Sequence, residues 1–466
     1  MHKIKVEQLA KTIEVTVAAF QNGHDVNQLL SDLRTILIGF AEDLVISAVQ
    51  KLLLDRHLLK TLKMLAARSA LRFNGFKPTS IRLLSGESIS IDSPYFAKVP
   101  PKARRGRKSK KRKAKSGAHL GLSYLGFIDR CSGVLTSSAV QAALLCPSFE
   151  IAARTLDSFG IKMDIKTIQR LCLTMGNQAM EQRHGIALSD TDSAQNHRLL
   201  VCIDGGRLRE RRTKRGRRPV GGKRQGYHTD WREPTQIVIQ WLNANGEKCK
   251  QCIPLYDATM ADIDGVFLLL EDYLRQIDIS KADMVIFCAD GARRYWNRFS
   301  SLAQRLKTKA HLEIIDYTHA KQNLQVVADC LPKKLGEKKL AKILEDWKNM
   351  LWHGNLDEIH HQIRHYIKSS PKRKKALKKF NNYFLSNSNR MQYASYRRLN
   401  LPTGSGCVES AIRRVINLRL KSPGIFWKRH TAEVMLFLRS TLLCGRWHIM
   451  LKNLYLVKRG QFQGCH

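Results

Sequence analysis

The fold of this chain is decided by the stretch Leu199-Leu200-Val201-Cys202-Ile203-Asp204, which runs into Gly205-Gly206. A short run that is apolar at every position fits a strand buried on both faces of a sheet. Residues 284–291 repeat the pattern, as an apolar run that ends in Asp290-Gly291. The two runs predict central strands that carry Asp204 and Asp290 to the carboxyl end of a sheet, where the sites of α/β folds lie.

The segments around these strands complete an α/β pattern. Apolar periodicity predicts four further elements, namely strands at residues 236–242, 249–256 and 312–316 and a helix at residues 263–277. Three strands in a meander, followed by alternating helix and strand, is the order of a ribonuclease-H-like α/β layer. In that order the first and fourth strands are neighbours, so we expect Asp204 and Asp290 side by side. Each residue alone has a simpler explanation, an ordinary turn aspartate before glycine.

Glu409 is the third candidate acid. It lies in Gly404-Ser405-Gly406-Cys407-Val408-Glu409-Ser410, at the start of a helix whose basic residues are Arg413, Arg414, Arg419 and Lys421. If Ser405 caps this helix, a first-turn carboxylate is favoured by the helix dipole and can pair with Arg413. That simpler reading leaves unexplained the two glycines, which permit a close backbone approach. It also leaves unexplained the basic residues, which are placed to hold phosphates.

Three carboxylates brought together repel one another, and a divalent cation relieves that repulsion. Carboxylate oxygens suit Mg²⁺, and Mn²⁺ can substitute for it. Two such ions can clamp the attacking and leaving oxygens of an in-line displacement at phosphorus. We expect Asp204 to bridge two ions and Asp290 and Glu409 to hold one each, with water or a 3′-hydroxyl as the attacking group.

The charge balance points to a polyanionic partner. The 466 residues include 80 Lys and Arg against 39 Asp and Glu, a formal net charge of +41. An excess of this size favours DNA or RNA as the partner, with an anionic membrane or the ribosome as the alternatives. A membrane span needs about 20 nearly uncharged residues, and the apolar runs here carry charged or polar residues, so we expect no membrane partner.

The termini and cysteines predict the compartment. The N-terminus has no apolar core with a small-residue cleavage site, so a secretory signal is not expected. The 11 cysteines are odd in number and scattered, which favours reduced thiols in a cytoplasmic, nucleoid-associated protein. Cys249-x-x-Cys252 has no partner pair or His-x-x-x-His nearby, so zinc is not predicted.

The predicted fold class is an α/β ribonuclease-H-like catalytic core with an all-α insertion, preceded by a mainly α-helical DNA-binding region. The chain divides into seven segments: a helical N-terminal module (1–70), a short β segment and basic linker (71–118), a helical region with a candidate helix-turn-helix (119–195), the first core part (196–320), the helical insertion (321–400), the second core part with the third acid (401–445) and a basic tail (446–466).

Three features lie ahead of the core. Alternating residues at 80–98 predict a hairpin around Gly86. Ten basic residues between Lys102 and Lys115 predict a disordered tether that adds salt-sensitive DNA affinity. Two short helices around Gly160 suggest a helix-turn-helix, with an ordinary helical hairpin as the alternative. The residues expected to face the major groove are Lys166, Thr167, Gln169 and Arg170.

The chain resembles the DDE transposases of bacterial insertion sequences over roughly residues 135–450. The motifs that carry the resemblance lie at residues 201–207, 229–234, 288–292, 316–319 and 404–410, the last a Gly-Ser-Gly-x-x-Glu-Ser opening of a basic helix. The resemblance implies the ribonuclease-H-like fold, two Mg²⁺ ions, and cutting and joining of the element's terminal inverted repeats. The three acids carry over as Asp204, Asp290 and Glu409, and a homo-oligomer on double-stranded DNA is the implied assembly.

Asp316-x-x-His319 resembles the (Cys/Asp)-x-x-His motif of transposases that carry a helical insertion between the second and third acids. The resemblance implies that His319 acts near the scissile phosphate, and that Trp347 or Trp352 stacks on a flipped base. The basic stretch 207–224, which includes Arg207 and Arg209, follows Asp204 directly and is expected to grip a DNA backbone. No zinc finger precedes the core, so the regions 1–70 and 135–175 are expected to recognise the element ends.

Two other functions remain open from the sequence. A domesticated, cleavage-inactive relative would bind DNA without cutting it, although the three acids are intact. A ribonuclease-H-like nuclease would hydrolyse DNA without strand transfer. The products formed from terminal-repeat DNA in Mg²⁺ distinguish the three.

Overall fold

The computed structural model describes residues 2–21, 25–98, 117–216, 221 and 225–461. The predicted basic tether at residues 102–115, and the middle of the basic stretch 207–224, lie outside the described residues. The chain divides into two compact units, which are Met1–Ala179 with Leu451–Phe462 and Met180–Met450 with Gln463–His466. The seven finer segments stay a prediction.

The first unit opens with three helices and a hairpin. Their bounds are α1 His2–Gln21, α2 Val26–Leu54, α3 Arg56–Arg68, β1 Leu71–Arg82 and β2 Ser88–Lys98. Asp25 and Asp55 begin α2 and α3, because each carboxylate accepts a backbone N–H of the first turn. The hairpin predicted around Gly86 is confirmed, although β1 begins earlier than expected. Gly86 has φ +80°, and a Cβ there would lie 2.2 Å from the Lys162 carbonyl oxygen, so glycine is required.

Four helices follow in the first unit, namely α4 Leu120–Tyr124, α5 Gly133–Leu145, α6 Phe149–Ser158 and α7 Ile165–Met180. The last two are the predicted helices around Gly160, which has φ +74°. One expectation is wrong, because Thr167 is buried and cannot face a groove. Its N–H and hydroxyl both donate to the Asp164 carboxylate, at 2.8 and 2.6 Å. Arg170 is exposed, and its Nε lies 3.4 Å from the Asp129 carboxylate.

The second unit is built on a five-stranded mixed sheet. Its elements up to the last strand are α8 Arg183–Ile186, β3 Arg198–Gly205, β4 Leu208–Thr213, β5 Tyr227–Arg232, β6 Thr235–Leu242, β7 Leu255–Thr259, α9 Ile263–Gln276, β8 Met284–Ala289, α10 Arg293–Arg305 and β9 His311–Ile315. The strand order is β7-β6-β3-β8-β9, while β4 and β5 form a separate two-stranded ladder. β3 is antiparallel to β6 and parallel to β8. The predicted adjacency of the first and fourth strands is therefore confirmed.

One predicted strand is displaced. Residues 249–256 were expected to be extended along the sheet, but β7 begins only at Leu255 and continues to Thr259. The buried Arg446 guanidinium binds the Ile253 and Pro254 carbonyls, which a strand would use for pairing. Pro254 also lacks the N–H that a ladder requires. These contacts hold the segment before β7 in a turn.

The rest of the second unit is helical. The elements are α11 Tyr317–Ala328, α12 Glu337–His353, α13 Leu356–Tyr366, α14 Ser370–Tyr383, α15 Tyr393–Arg398, α16 Gly406–Ile412, α17 Leu418–Leu420, α18 Arg429–Leu443 and α19 Trp447–Arg459, the last of which continues beyond this unit. A π turn, Arg413–Asn417, joins α16 to α17. The helical segment predicted at residues 321–400 thus begins at Tyr317, where Asp316 caps α11.

No single helix in the described part of the chain is long and apolar enough to cross a membrane. The consecutive helices α18 and α19 reach the required length and composition only when they are joined across the break between them. Most of α18 is buried in the protein core, where Val434, Leu436 and Leu438 are fully covered.

Candidate active site

Asp204 and Asp290 lie at one edge of the sheet. Asp204 is the penultimate residue of β3, and its Oδ1 accepts the Gly205 N–H at 2.7 Å. Asp290 directly follows β8, and its Oδ1 accepts the Ala292 N–H at 2.9 Å. Because β3 and β8 are parallel and in register from Arg198 opposite Met284 onward, both aspartates emerge at the same end. Both side chains are half-buried.

Glu409 reaches this edge from a helix. It is exposed in the first turn of α16, which packs against β3 and β6. The Cys407 thiol, also on α16, lies 3.4 Å from the Cys202 sulfur on β3. Ser405 begins the helix as expected, but its hydroxyl does not cap it and donates instead to Asp316 Oδ2 at 2.8 Å. A helix cap by the Ser405 side chain, the simpler explanation for this stretch, is therefore not what the structure shows.

Asp316, the first residue of the Asp316-x-x-His319 motif, makes contacts that the sequence did not show. Its buried carboxylate accepts the Ser405 N–H and hydroxyl at Oδ2, and the His319 N–H at Oδ1 at 2.8 Å. Although burial opposes the charge, these hydrogen bonds and the His319 ring hold the pKa of Asp316 well below its usual range. Asp316 thereby ties the end of β9 to the loop that carries Glu409. Its partner Ser405 lies 89 residues away in the sequence, so no local pattern indicates this contact.

His319 lies among these carboxylates. Its Nδ1 is 3.3 Å from Asp316 Oδ1, at ion-pair distance. The Asp316 side chain raises the pKa of His319 to about 9, and the charges of Asp204 and Asp290 add to the effect against partial burial. His319 is therefore protonated at neutral pH. The family resemblance implies that His319 acts near the scissile phosphate, and the structure places it where the charges of Asp204 and Asp290 act on its ring.

The charges of Asp290 and Glu409 act on Asp204. Burial raises the pKa of Asp204 to about 6, and the carboxylates of Asp290 and Glu409 add to the increase. The Gly205 N–H and the His319 ring act in the opposite direction but do not cancel it. A half-buried carboxylate with this raised pKa is the state that a bound divalent cation would relieve.

The predicted metal ligands Asp204, Asp290 and Glu409 lie near one another at this edge of the sheet, but their ligand atoms are not gathered around one point. Among the described residues, ligand atoms of Asp316, His319 and Glu409 lie within 4.8 Å of one another, whereas the three acids do not form so close a group. Asp316 is already fully engaged by hydrogen-bond donors, and a protonated imidazole offers no lone pair. Asp204, Asp290 and Glu409 therefore stay the predicted ligand set, and their carboxylates would have to move closer together to hold one ion.

The raised pKa of Asp204 predicts how the stability of the metal-free protein changes with pH. The pKa of Asp204 is about 6 in the folded chain and 3.8 in its ordinary state. Below about pH 4 Asp204 is protonated in both the folded and the unfolded chain and does not affect the free energy of unfolding. Between about pH 4 and 6 the free energy of unfolding falls, because the unfolded chain loses this proton more readily. Above about pH 6 the loss is constant at about 2–3 kcal/mol. We expect Asp204→Asn to raise the free energy of unfolding by about that amount at pH 8 and by almost nothing at pH 4.

Urea unfolding in EDTA at pH 4, 6 and 8 measures this difference. Asp264→Asn is the matched control, since Asp264 is an exposed acid paired with Arg298 on the surface. Added Mg²⁺ is expected to stabilise the wild type and not Asp204→Asn. Equal pH dependence in Asp204→Asn and the wild type would contradict the assignment.

The predicted phosphate-binding residues differ in their surroundings. Arg207, Arg413 and Lys421 are exposed and available to a ligand. Arg209 is half-buried, with its guanidinium 4.5 Å from the Phe426 ring centre and hydrogen-bonded to the Ser422 carbonyl. The predicted grip by residues 207–224 stays a prediction, because residues 217–220 and 222–224 lie outside the described residues.

Two arginines that follow Glu409 were expected to be exposed to a phosphate, but their side chains are buried or half-buried. Arg419 is only 2% exposed, and its guanidinium lies over the Trp427 ring at 5.2 Å, so its predicted DNA contact is wrong. Arg414 is half-buried and donates to the Tyr256 hydroxyl at 3.1 Å. The physical reason is packing on aromatic rings, since the Arg414 guanidinium lies over Tyr256 and the Arg419 guanidinium lies over Trp427.

The two candidate tryptophans for base stacking differ in burial. Trp347 is fully buried and its indole N–H donates to Gln362 at 2.8 Å, so it cannot stack on a base. Trp352 is half-buried and packs against Tyr317 and Tyr393, with ring centres 5.0 and 6.0 Å away. Trp352 and Tyr317 line an open cleft with Lys321. Trp352 remains the candidate for base stacking.

Comparison with known proteins adds little to this geometry. No family model matches the sequence, and no curated protein matches it. Among solved structures, the chain is similar to a chain of the Drosophila P element transposase strand transfer complex, at 12% sequence identity over 71% of this chain and 81% of that chain, with a TM-score of 0.25. A TM-score this low carries no argument, so the basis for a function is this chain's own residues.

Proposed function

We propose that this chain is a DDE transposase of the insertion-sequence type, which cleaves DNA at terminal inverted repeats and joins the ends to a target. The observation that carries the proposal is the meeting of three acids at one sheet edge. Asp204 and Asp290 end two adjacent parallel strands, and Glu409 on α16 shifts the pKa of Asp204 together with Asp290. Carboxylates of this kind serve metal-dependent displacement at phosphorus.

The topology supports a ribonuclease-H-like core with an all-α insertion. Numbered along the chain, the five strands of the large sheet lie in the order 3-2-1-4-5, and the second strand is antiparallel to both of its neighbours. Helices α11 to α15 then intervene between the last strand and the third acid. This is the strand order that the sequence predicted for such a core.

The proposed cofactor is Mg²⁺, as two ions for which Mn²⁺ can substitute. Bound there, the metal would activate the attacking water or 3′-hydroxyl and offset charge on the phosphate. Asp204, Asp290 and Glu409 would supply the ligands. The protonated His319 would donate a proton or a hydrogen bond to a phosphate oxygen, and exposed Arg413 and Lys421 would hold the neighbouring backbone.

The proposed partner is double-stranded DNA, both the element ends and the target, bound by a homo-oligomer in the cytoplasm at the nucleoid. The net charge of +41 supports a polyanionic partner. Binding to phosphates releases counterions, so affinity for DNA should fall by about 10³-fold or more between 50 and 200 mM salt. The sequence of the terminal repeat is to be read from the flanks of the coding region.

The test is the reaction of the purified full chain with labelled terminal-repeat DNA and a target plasmid. We expect nicked or cut ends and joined products in Mg²⁺ or Mn²⁺, and neither in EDTA. DNA binding without any cutting would favour the cleavage-inactive relative. Cut 3′-hydroxyl ends that never join the plasmid would favour the nuclease. Scrambled-repeat DNA of equal length is the substrate control.

A further inference from the structure

A second cluster of metal-binding side chains lies away from the acids. His197, Cys249 and Cys252 place ligand atoms within 4.8 Å of one another. The Cys249 and Cys252 sulfurs are 2.9 Å apart, and Cys252 Sγ lies 3.7 Å from His197 Nε2. His197 immediately precedes β3 and Asp204 is near its other end, so roughly 20 Å separates the cluster from Asp204 at about 3.3 Å per strand residue.

His197 is oriented as a ligand would be. Its Nδ1 lies 2.8 Å from the Gln195 carbonyl oxygen. A carbonyl only accepts, so Nδ1 carries a hydrogen, and Nε2 is the ring nitrogen that faces Cys252. Metal-binding histidines almost always hold the other ring nitrogen in such a hydrogen bond. The sequence reading missed His197, because it lies more than 50 residues before the cysteine pair and outside any spacing motif.

The surroundings hold both halves of the cluster in place. The Cys249 N–H donates to the Trp241 carbonyl at 2.9 Å, and the Trp241 indole donates to the Ser193 carbonyl at 2.8 Å. Arg446, fully buried, binds the Ile253 and Pro254 carbonyls just after Cys252. The same guanidinium pairs with Asp192, five residues before His197. The cysteine turn and the segment before β3 are therefore anchored to the same structure.

We propose that His197, Cys249 and Cys252 bind one Zn²⁺ ion, with water in the fourth position. Thiolate sulfur and imidazole nitrogen are ligands that favour zinc over Mg²⁺. Each thiol that binds loses its proton to solvent. The ion would link the segment Cys249–Cys252 to His197, directly before β3.

The rival occupant of this geometry is a Cys249–Cys252 disulfide, which forms only if an oxidant removes two electrons and two protons. Zinc and a disulfide are mutually exclusive at these sulfurs. Their ratio can be measured by counting reactive thiols in the denatured protein, with and without reductant. That count is independent of DNA cleavage, so the zinc site and the proposed transposase activity can fail separately.

The experiment uses the full chain, purified in reductant and dialysed. We expect close to one equivalent of zinc by mass spectrometry of the metal, and a thiolate-to-metal charge-transfer absorption when Co²⁺ replaces zinc. Cys252→Ser and His197→Ala should lose at least about tenfold in zinc affinity. His197→Cys should retain zinc, since a three-cysteine ligand set also binds it.

Cys330→Ser is the matched control, since Cys330 is a free cysteine at the end of α11 and outside the cluster. It should bind zinc and Co²⁺ as the wild type does. The proposal is overturned if the reduced wild type holds no zinc and gives no Co²⁺ absorption. It is also overturned if Cys330→Ser loses zinc as Cys252→Ser does, or if the disulfide persists in reductant.

Discussion

Asp204→Asn and Glu409→Gln are each expected to lower Mg²⁺-dependent DNA cleavage by about 10³-fold or more, equivalent to about 4 kcal/mol of transition-state stabilisation. Either change removes a negative charge from the proposed ligand set and leaves the shape of the side chain almost unaltered. DNA affinity should change by less than about threefold, because exposed Arg413 and Lys421 remain. Single-turnover cleavage and filter binding on the same DNA measure the two effects separately.

Asp264→Asn controls for the loss of one negative charge elsewhere on the same unit, and it should cleave DNA like the wild type. Glu409→Gln carries the sharper test, because Glu409 has the competing explanation of a first-turn residue that favours the helix dipole. That role is worth about 0.3–1 kcal/mol of stability and nothing in cleavage. A Glu409→Gln protein that is slightly less stable and cuts normally would contradict the ligand assignment.

The large sheet was predictable because its signal is local. Each central strand is a continuous apolar run, and the strand order follows from a meander followed by alternating helix and strand. The position of β7 was not predictable, because Arg446 binds the carbonyls of Ile253 and Pro254 from about 190 residues later in the chain. Periodicity reports only the apolar residues of that segment. It does not reveal a distant arginine that hydrogen-bonds the carbonyls needed for strand pairing.

The site was predictable in part for the same reason. Asp204, Asp290 and Glu409 each sit in a recognisable local motif, and the sheet brings two of them together. Arg419 was predicted to hold phosphates because it follows Glu409 on the same basic helix, and the sequence does not show that its side chain is buried over Trp427. The Asp316 contact with Ser405 joins side chains far apart in sequence. Asp204 and Asp290, whose charges add to the raised pKa of His319, are likewise distant from it in sequence, and no periodicity reveals such pairings.

Asp316→Asn is expected to lower cleavage by about 10²-fold, although Asp316 is not a proposed metal ligand. Its carboxylate fixes the loop before Glu409, and a shift of about 1 Å at a catalytic group costs that much. The free energy of unfolding should fall by about 3 kcal/mol, because buried N–H groups of Ser405 and His319 lose a charged acceptor. Asp329→Asn, at an exposed acid that follows α11, is the control and should change neither quantity.

A pH series distinguishes this positioning role from a general loss of packing. Because the pKa of Asp316 is lowered in the folded chain, its carboxylate stabilises the fold at pH values above its ordinary pKa of 3.8. This stability is lost as the pH falls below that value. The raised pKa of His319 gives stability that is full below its ordinary 6.5 and lost as the pH rises through about 9. The stability difference between the wild type and Asp316→Asn should therefore be largest between pH 4 and 6.5, and should shrink towards pH 9. In a His319→Ala background the decline between pH 6.5 and 9 should vanish, and a decline that persists there would assign it to other groups.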